Sequence, residues 1–313
     1  MGKIYTIGEA LIDFIPVQTA ANLSAVDAFQ KRPGGAPANV AVAAAKLGAE
    51  SYFIGMVGDD PFGHFLKDTI TNYGVNTSYL KMTKKAKTAL AFVSLAEDGQ
   101  RDFSFYPSAD LLLDKSDVEE VEFTSEDYIS FGSVDLVDYP VKYATEYLLQ
   151  KAKAANATIL FDPNIRKDLW DDLEECRETV LSFMKYANIV KMADDEVEFI
   201  TGKSTVKEAI EVVKQYGVEH VIVTYGPEGS DAYLKHCHSH ADARKVNPVD
   251  TTGAGDTFVG ALLYYLDFHK QKPDHISAEM MKEGLCFANH AAAIVTTKKG
   301  AMNAAPTLEE LQK

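Results

Sequence analysis

The sequence is poor in cysteine and tryptophan, and it contains no long hydrophobic run. Its 313 residues include three cysteines and one tryptophan. The cysteines lie far apart without a CxxC pair, which argues against a disulfide framework and fits a reducing compartment. No apolar run approaches the roughly 20 residues of a membrane span, and the first residues, MGKIYTIGEALIDF, do not read as a secretory signal. We therefore expect a cytoplasmic protein that makes no membrane contact.

Positive charge is also in deficit. Lys and Arg number 31 against 46 Asp and Glu, which gives a net charge of -15. Binding of DNA or RNA without sequence preference depends on clustered positive charge, so nucleic acid is not an expected partner. The length and the 46% hydrophobic content suffice for one large domain or two small ones. Because no repeat or linker divides the chain, we expect a single domain over residues 1–313.

What the sequence does contain is an alternation of short apolar runs with amphipathic segments. Four apolar runs read as buried strands, at residues 51–58, 157–164, 186–193 and 220–226. The segments between them have helical periodicity, and Gly48 is a predicted helix stop while Asp60 is a predicted helix cap. This pattern predicts an α/β fold with a mostly parallel central sheet covered by helices on both faces.

Two segments depart from that alternation. Residues 88–106 contain two alternating stretches around Asp98 and Gly99, which is the signal of an antiparallel hairpin. Residues 12–33 are extended and rich in turn residues. Together the two segments could form a small sheet that protrudes as a lid, with boundaries of about 12–33 and 87–108, or they could be ordinary surface excursions.

The stretch DTTGAGDTFVGAL, residues 250–262, is a glycine-rich turn that leads into a helical pattern. It does not match the common phosphate-binding templates. A dinucleotide-binding motif starting at Gly253 would need glycine where Phe258 stands, and a Walker A loop ending at Ser204 would need glycine where Val197 stands. The protein-kinase signatures are absent as well. The turn therefore indicates another kind of phosphate site.

The chemistry of that turn follows from its residues. Gly253, Ala254 and Gly255 can direct successive N–H groups into one concavity, which the positive end of the following helix reinforces. Asp256 at its edge would repel a resting phosphate, but it suits a phosphoryl group in transit, because it can accept the proton of an attacking hydroxyl. The alternative is that Asp256 only caps a helix beginning at Thr257.

Six motifs, in this order along the chain, carry a resemblance to a known family. They are GEALIDF (8–14), PGGAPANVA (33–41), GMVGDDPFG (55–63), FDPNIR (161–166), VTYGPEG (223–229) and DTTGAGD (250–256). In these motifs the chain resembles the ribokinase-like (PfkB) carbohydrate kinases, and most closely the fructokinases. The resemblance implies a ribokinase-like three-layer fold and ATP-dependent phosphorylation of a sugar, most simply O6 of D-fructose. Ribose, 2-keto-3-deoxygluconate and a non-catalytic scaffold of the same fold remain alternatives.

The resemblance also implies individual roles. Asp256 would be the catalytic base, Gly253, Ala254 and Gly255 the anion hole, and Arg166 a residue that reaches sugar and phosphate. Sugar binding would involve Asp13, Gly34, Gly35, Asn39 and Phe105. Nucleotide binding would involve Asn164, Lys191, Thr224, Gly226, Gly229 and Asn289. Mg²⁺ would be held near Glu196 and Asp162, and K⁺ through backbone carbonyls near Asp250 and Thr252 and part of the segment 292–300.

The lid segment shows one departure from the family. Fructokinases commonly read FYRNPSAD with an arginine that reaches the sugar, whereas this sequence reads FYPSADLLL from Phe105. The departure bears on the identity of the sugar and leaves the kinase assignment unchanged. Because an exposed lid sheet often pairs across a dimer in this family, the resemblance further implies a homodimer formed through the lid.

Overall fold

The computed structural model describes residues 2–17, 23–95 and 101–312. Two β-sheets run through this part of the chain. Their strands are β1 (Lys3–Ile7), β2 (Leu11–Pro16), β3 (Phe29–Gly34), β4 (Glu50–Gly58), β5 (Leu80–Thr83), β6 (Leu90–Leu95), β7 (Arg101–Tyr106), β8 (Tyr128–Phe131), β9 (Thr158–Phe161), β10 (Ile189–Ala193), β11 (His220–Thr224), β12 (Ser230–Tyr233) and β13 (His238–Ala241).

Seven helices lie between these strands within the described residues, and three more follow the last strand. In chain order, the helices are α1 (Ala36–Leu47), α2 (Pro61–Asn72), α3 (Lys115–Val118), α4 (Pro140–Ala154), α5 (Leu173–Phe183), α6 (Asp194–Thr201), α7 (Val206–Lys214), α8 (Ala254–Phe268), α9 (Ala278–Thr296) and α10 (Leu308–Leu311). The predicted cap is confirmed, because the Asp60 side chain accepts hydrogen bonds from the first turn of α2. Gly48 ends α1 in the left-handed conformation, as predicted. Within the described ranges, no helix is both long and apolar enough to cross a bilayer.

The large sheet has the order β13-β12-β11-β10-β9-β8-β1-β4-β5. Every neighbouring pair from β11 to β5 is parallel, and the β12–β13 hairpin adds two antiparallel pairs at one edge. Successive residues of a strand point to opposite faces. Ile4 accordingly packs in a core with α1, α8 and α9, whereas Tyr5 packs in a second core with α4 to α7. The predicted α/β architecture with helices on both faces is confirmed.

The small sheet has the order β3-β2-β6-β7 and is mostly antiparallel. It is built from the two segments that broke the strand–helix alternation. The predicted turn at Asp98 and Gly99 lies outside the described residues. Leu11 and Phe105 face one side of this sheet, toward a cleft. The opposite side carries stacked aromatic rings, with the Phe14 and Phe92 ring centroids 4.9 Å apart.

Close packing of α1 against α8 joins two motifs that are distant in sequence. Gly260 makes this approach possible, because a Cβ at that position would lie 2.7 Å from Val40 O and 2.8 Å from Ala43 Cβ. One turn earlier on each helix stand Asn39 and Asp256. The glycine contact therefore sets the distance between those two side chains.

Candidate active site

A cleft of about 260 Å³ opens at the carboxyl ends of the parallel strands, beside the small sheet. Loops leaving parallel strands meet at this edge, which is where ligands of open α/β sheets commonly bind. The lining residues are Glu9, Leu11, Asp13, Gly35, Ala36, Asn39, Phe105, Val134, Asp162, Asn164, Arg166, Lys191 and Thr251 to Asp256. Most of the residues singled out in the sequence thus come together in one place, although they derive from four of the six motifs and from two further segments that carry Phe105 and Lys191.

The glycine-rich turn forms the beginning of α8. Gly253 has the left-handed conformation, with φ of 76°, and stands at the N-cap position, so the helix begins at Ala254. Asp256 is therefore inside the first turn and not ahead of a helix beginning at Thr257. Its carboxylate makes no capping bond; Oδ2 instead accepts a hydrogen bond of 2.8 Å from Asn39 Nδ2. The capping alternative left open by the sequence does not describe this residue.

Asp256 is 9% exposed, at the border between cleft and core. Burial raises the pKa of its carboxyl, and the bond from Asn39 together with Arg166 and Lys191 opposes that rise. The net direction is upward. The positive end of α8 favours the ionised form of this group, and burial acts in the opposite direction. A carboxylate with a raised pKa is a stronger proton acceptor near neutral pH than an exposed one.

Asp13 lies on β2 at the small-sheet side of the cleft. Burial raises the pKa of its carboxyl to about 7, with a further contribution from Asp256 and an opposing one from Arg166. Gly34 on the neighbouring strand makes room for it, because a Cβ there would overlap Asp13 Oδ2. Gly34 itself does not line the cleft, whereas Gly35 does. The structural requirement at Gly34 is therefore space for the carboxylate.

Arg166 reaches the cleft from the loop after β9. Its guanidinium Nη1 donates to Asn164 Oδ1 at 2.7 Å and to the Asn164 and Ile165 carbonyls at 3.2 Å. Asn164 adopts a left-handed backbone, with φ of 46°, which folds the loop back on itself. Arginine carries its charge at all relevant pH values. The folded loop therefore holds a permanent positive charge beside the carboxylates of the cleft.

Lys191, at the end of β10, forms the second cationic group of the cleft. It is 5% exposed, and its Nζ lies 3.2 Å from both carboxylate oxygens of Asp162. Burial alone would lower the pKa of this lysine, but Asp162, Glu196 and Asp256 outweigh it and raise the pKa. Glu196 stands behind the cleft and accepts N–H bonds from Ile165 and Ala193, at 2.6 and 2.9 Å. It thereby ties the Arg166 loop to the start of α6.

The two segments that the resemblance assigned to K⁺ lie side by side. The backbone N–H groups of Val249 and Asp250 donate to Thr296 O, at 2.7 and 3.0 Å. Asp250 Oδ2 accepts from Gly300 N at 2.9 Å, while Oδ1 accepts from Thr252 N and Thr252 Oγ1. The Asp250 side chain thus clamps the glycine-rich turn to the segment after α9.

The residues assigned to the nucleotide separate into two groups. Asn164 and Lys191 line the cleft, whereas Thr224, Gly226, Gly229 and Asn289 lie around the end of β11 and the β12–β13 hairpin. Asn289 is 6% exposed; its amide donates to Ala241 O at 2.9 Å and accepts from Ser230 Oγ at 3.2 Å. These bonds attach α9 to the hairpin, so Asn289 has a structural task here.

Five cleft residues were not identified from the sequence, namely Glu9, Leu11, Ala36, Val134 and Thr251. Four of them lie within motifs that were recognised, so their position beside predicted site residues could have identified them. Val134 follows β8, and no motif marks its surroundings. Glu9 is the chemically significant omission, because it places another buried carboxyl at the cleft.

The model of the pfkB family carbohydrate kinases matches residues 1–308. The chain is 40% identical over 309 residues to probable fructokinase-2 of Arabidopsis thaliana, covering 98% of this chain and 93% of that protein.

Solved structures show the same similarity in three dimensions. A fructokinase double mutant from Vibrio cholerae O395, in its fructose-, ADP- and potassium-bound form, has a TM-score of 0.89 at 32% identity and covers 100% and 97% of the two chains. Aminoimidazole riboside kinase from Salmonella enterica, complexed with aminoimidazole riboside and an ATP analog, has a TM-score of 0.85 at 30% identity, covering 99% and 98%. The chain belongs to the pfkB family of carbohydrate kinases and has its ribokinase-like fold.

Proposed function

We propose that this protein is an ATP-dependent fructokinase that phosphorylates O6 of D-fructose. The observation that carries the proposal is the Asp256 carboxylate, buried at the edge of a glycine-rich helix start and sharing one cleft with Asp13. The similarity to fructokinases, one of them solved with fructose and ADP, supports the choice of sugar. Fructose binds between Asp13, Gly35, Asn39 and Phe105, and ATP lies toward the loops at residues 224–229.

Asp256 acts as the general base. It takes the proton of the sugar hydroxyl as that oxygen forms its bond to the γ-phosphorus, and the bond from the γ-phosphorus to the bridging oxygen breaks to release ADP. The N–H groups at Gly253, Ala254 and Gly255, with the positive end of α8, stabilise the negative charge on the moving phosphoryl group. General-base assistance of this kind typically contributes ~10²–10⁴-fold to the rate.

Arg166 and Lys191 supply the fixed positive charge of the reaction. Each lines the cleft, and each moderates the raised pKa of Asp256. Asp162 and Glu196 offer the oxygen ligands that Mg²⁺ prefers, and since their oxygens already accept protein bonds, water-mediated contact suits them best. When bound with ATP, Mg²⁺ screens the nucleotide phosphates.

A monovalent cation completes the proposed site. K⁺ would bind through backbone carbonyls at Asp250 and Thr252 and in the segment 292–300. The hydrogen bonds from Val249, Asp250 and Gly300 support this, because they hold both segments together behind the anion hole. The potassium-bound form of the Vibrio cholerae protein supports it further. K⁺ there would strengthen the field of the N–H groups without joining the chemistry.

The small sheet acts as a lid on a single kinase unit that spans residues 1–313. Leu11, Asp13 and Phe105 place one face of the sheet over the sugar, and closure would keep water from the phosphoryl group. The opposite, aromatic face forms a homodimer interface.

The free cysteines Cys176, Cys237 and Cys286, together with ATP as co-substrate, support a cytoplasmic location.

Purified protein assayed with ATP, Mg²⁺ and a sugar panel tests the proposal. The panel contains fructose, ribose, 2-keto-3-deoxygluconate and aminoimidazole riboside, and a parallel series replaces K⁺ by Na⁺. We expect the highest kcat/KM with fructose, fructose 6-phosphate as the product, and lower activity without K⁺. Turnover of another sugar with none of fructose would refute the fructose assignment, and equal rates in both salts would refute the K⁺ site.

A further inference from the structure

We propose that Glu9 is a second sugar-binding carboxyl, which donates a hydrogen bond to one particular hydroxyl of the sugar. This inference rests on the proposed sugar-kinase function and specifies which groups read the substrate. Glu9 stands between β1 and β2, lines the cleft and is 4% exposed. A buried polar side chain at the wall of a substrate cleft is positioned to meet a polar group of the ligand.

The carboxyl of Glu9 is fixed in place by Gly35 and Ala36, at the start of α1. Its Oε1 accepts a hydrogen bond of 2.8 Å from Ala36 N, at the first position of α1. A Cβ at Gly35 would lie only 2.3 to 3.0 Å from backbone atoms of Glu9 and Ala10, so the glycine turn and the Glu9 backbone are in direct contact. Glu9 therefore presents its carboxyl beside the start of α1, the helix that carries Asn39.

The surroundings of Glu9 favour its protonated form. Burial is the main cause that raises the pKa of this carboxyl, and Asp110 adds to the rise, whereas Ala36 N–H and Arg166 oppose it; the net pKa is about 8. Asp135, 4% exposed and with no partner for either carboxylate oxygen among the described residues, adds a third buried acid beside it. A protonated carboxyl donates through its O–H, whereas an ionised one only accepts.

Glu9 and Asp13 would then bind the hydroxyls of the sugar in complementary ways. Asp13, once ionised, accepts from a hydroxyl, and Glu9 donates to the oxygen of another. A site built to bond a specific hydroxyl rejects analogues that lack it far more strongly than an apolar wall would. The pair therefore defines which hydroxyls the sugar must carry and in which orientation.

Monodeoxy analogues of the sugar test this assignment. Glu9→Ala, Glu9→Gln and wild type are assayed with the intact sugar and with each analogue in turn. For the intact sugar we expect Glu9→Ala to raise KM by about 10–100-fold, the usual cost of one lost hydrogen bond with its partner left unpaired, while the KM for ATP changes little. For one analogue the mutation should have no further effect, because that analogue already lacks the partner hydroxyl.

Glu9→Gln serves as the conservative rescue. Its amide can accept from Ala36 N–H and donate to the sugar, so we expect it to recover most of the sugar affinity. Asp267→Asn is the matched control, a buried carboxyl near the end of α8 that does not line the cleft, and it should show the wild-type pattern across the analogues. If Glu9→Ala fails to fold, Glu9→Leu replaces it.

An equal rise in KM for the intact sugar and for every analogue in Glu9→Ala would overturn the inference, since Glu9 would then only support the structure. An unchanged sugar KM in the folded Ala or Leu variant would overturn it as well. The panel uses whichever sugar the wild type phosphorylates fastest. A preference for a sugar other than fructose would therefore refute the fructose assignment and leave the Glu9 test intact.

Discussion

At the scale of single residues, burial governs how the cleft carboxyls behave. Glu9, Asp13, Asp162 and Asp256 all have raised pKa values, and burial is the largest cause for each. Arg166 lowers the pKa of every one of them, but it does not cancel the effect of burial. The cleft therefore holds four carboxyls that each bind a proton more readily than an exposed carboxyl does.

The pKa of Asp13, about 7 in the free protein, predicts a pH dependence of sugar capture. Below that pH the carboxyl is protonated and accepts hydroxyl bonds poorly, and above it the carboxylate is available. We expect kcat/KM for fructose to fall as the pH drops from 8 to 5.5. Asp256, whose pKa is also raised, contributes to the same decline in kcat/KM at low pH.

Asp13→Asn separates the two contributions. We expect this variant to lose about 10²-fold in kcat/KM, because an amide cannot replace an anionic acceptor of two hydroxyl bonds. The part of the decline in kcat/KM at low pH that Asp13 causes should be absent from this variant. A wild-type profile that stays flat from pH 5.5 to 8 would contradict the role given to Asp13.

The sequence could predict which residues line the cleft only where a motif marks them. Asp13, Asn39 and Asp256 stand in recognisable motifs, and all three line the cleft. The hydrogen bond between Asn39 and Asp256 could not be foreseen, because it joins positions 217 residues apart. Glu9 was missed for a related reason, since its meaning comes from burial and from Ala36, which no spacing in the sequence reveals.

At the scale of elements, the contact between α1 and α8 builds the proposed catalytic centre. Asn39 and Asp256 each stand in the first turn of their helix, and Gly260 permits the close approach one turn further on. The apolar periodicity predicted both helical segments. Their contact depends on Gly260, which the sequence alone shows only as a residue of low helix propensity.

Gly260→Ala should therefore damage catalysis more than folding. The added Cβ meets Val40 O and Ala43 Cβ, so α8 must move away from α1 and carry Asp256 out of position. We expect kcat to fall by about 10²-fold, as displacements near 1 Å can cost that much. Steady-state kinetics and a thermal melt measure the two effects.

Gly284→Ala on α9 is the matched control for that experiment. Its Cβ would touch the Tyr265 ring of α8 at 3.0 Å, and a ring can turn aside where a backbone carbonyl cannot. We expect kcat to stay near wild type. Similar losses of kcat in both variants would show that the α1–α8 contact has no special part in catalysis.

At the scale of the whole molecule, the small sheet has two unlike faces. Leu11 and Phe105 line the cleft, whereas the half-buried Phe14 and Phe92 and the 55% exposed Tyr106 form an aromatic cluster on the other side. Exposed aromatic surface is typical of interfaces. This asymmetry supports the proposed dimer, in which the outer face meets a second copy of the chain.

Light scattering coupled to size exclusion tests the dimer. We expect a dimer for the wild type and a monomer for Tyr106→Asp, because a charge would be buried at the interface. Tyr143→Asp is the control, since Tyr143 lies on α4 and is also 55% exposed. A monomeric wild type, or a Tyr106→Asp variant that remains dimeric, would contradict the proposal.

The overall architecture was largely predictable from the sequence, but the order of strands was not. Alternation of apolar runs with amphipathic helices predicts parallel pairing in general. It does not reveal that β1 lies between β8 and β4, because those pairings are decided by packing over long sequence distances. The sequence did predict that its two irregular segments could join in one small sheet, and the pairing of β2 with β6 confirms that sheet.

The removal of the Asp256 negative charge tests the central claim most directly. Asp256→Asn keeps the shape of the side chain but cannot accept the hydroxyl proton. We predict a fall in kcat of about 10²–10⁴-fold, with the fructose KM within a few-fold of wild type and an unchanged melting profile. A folded Asp256→Asn variant that keeps kcat within about threefold of wild type would contradict the account.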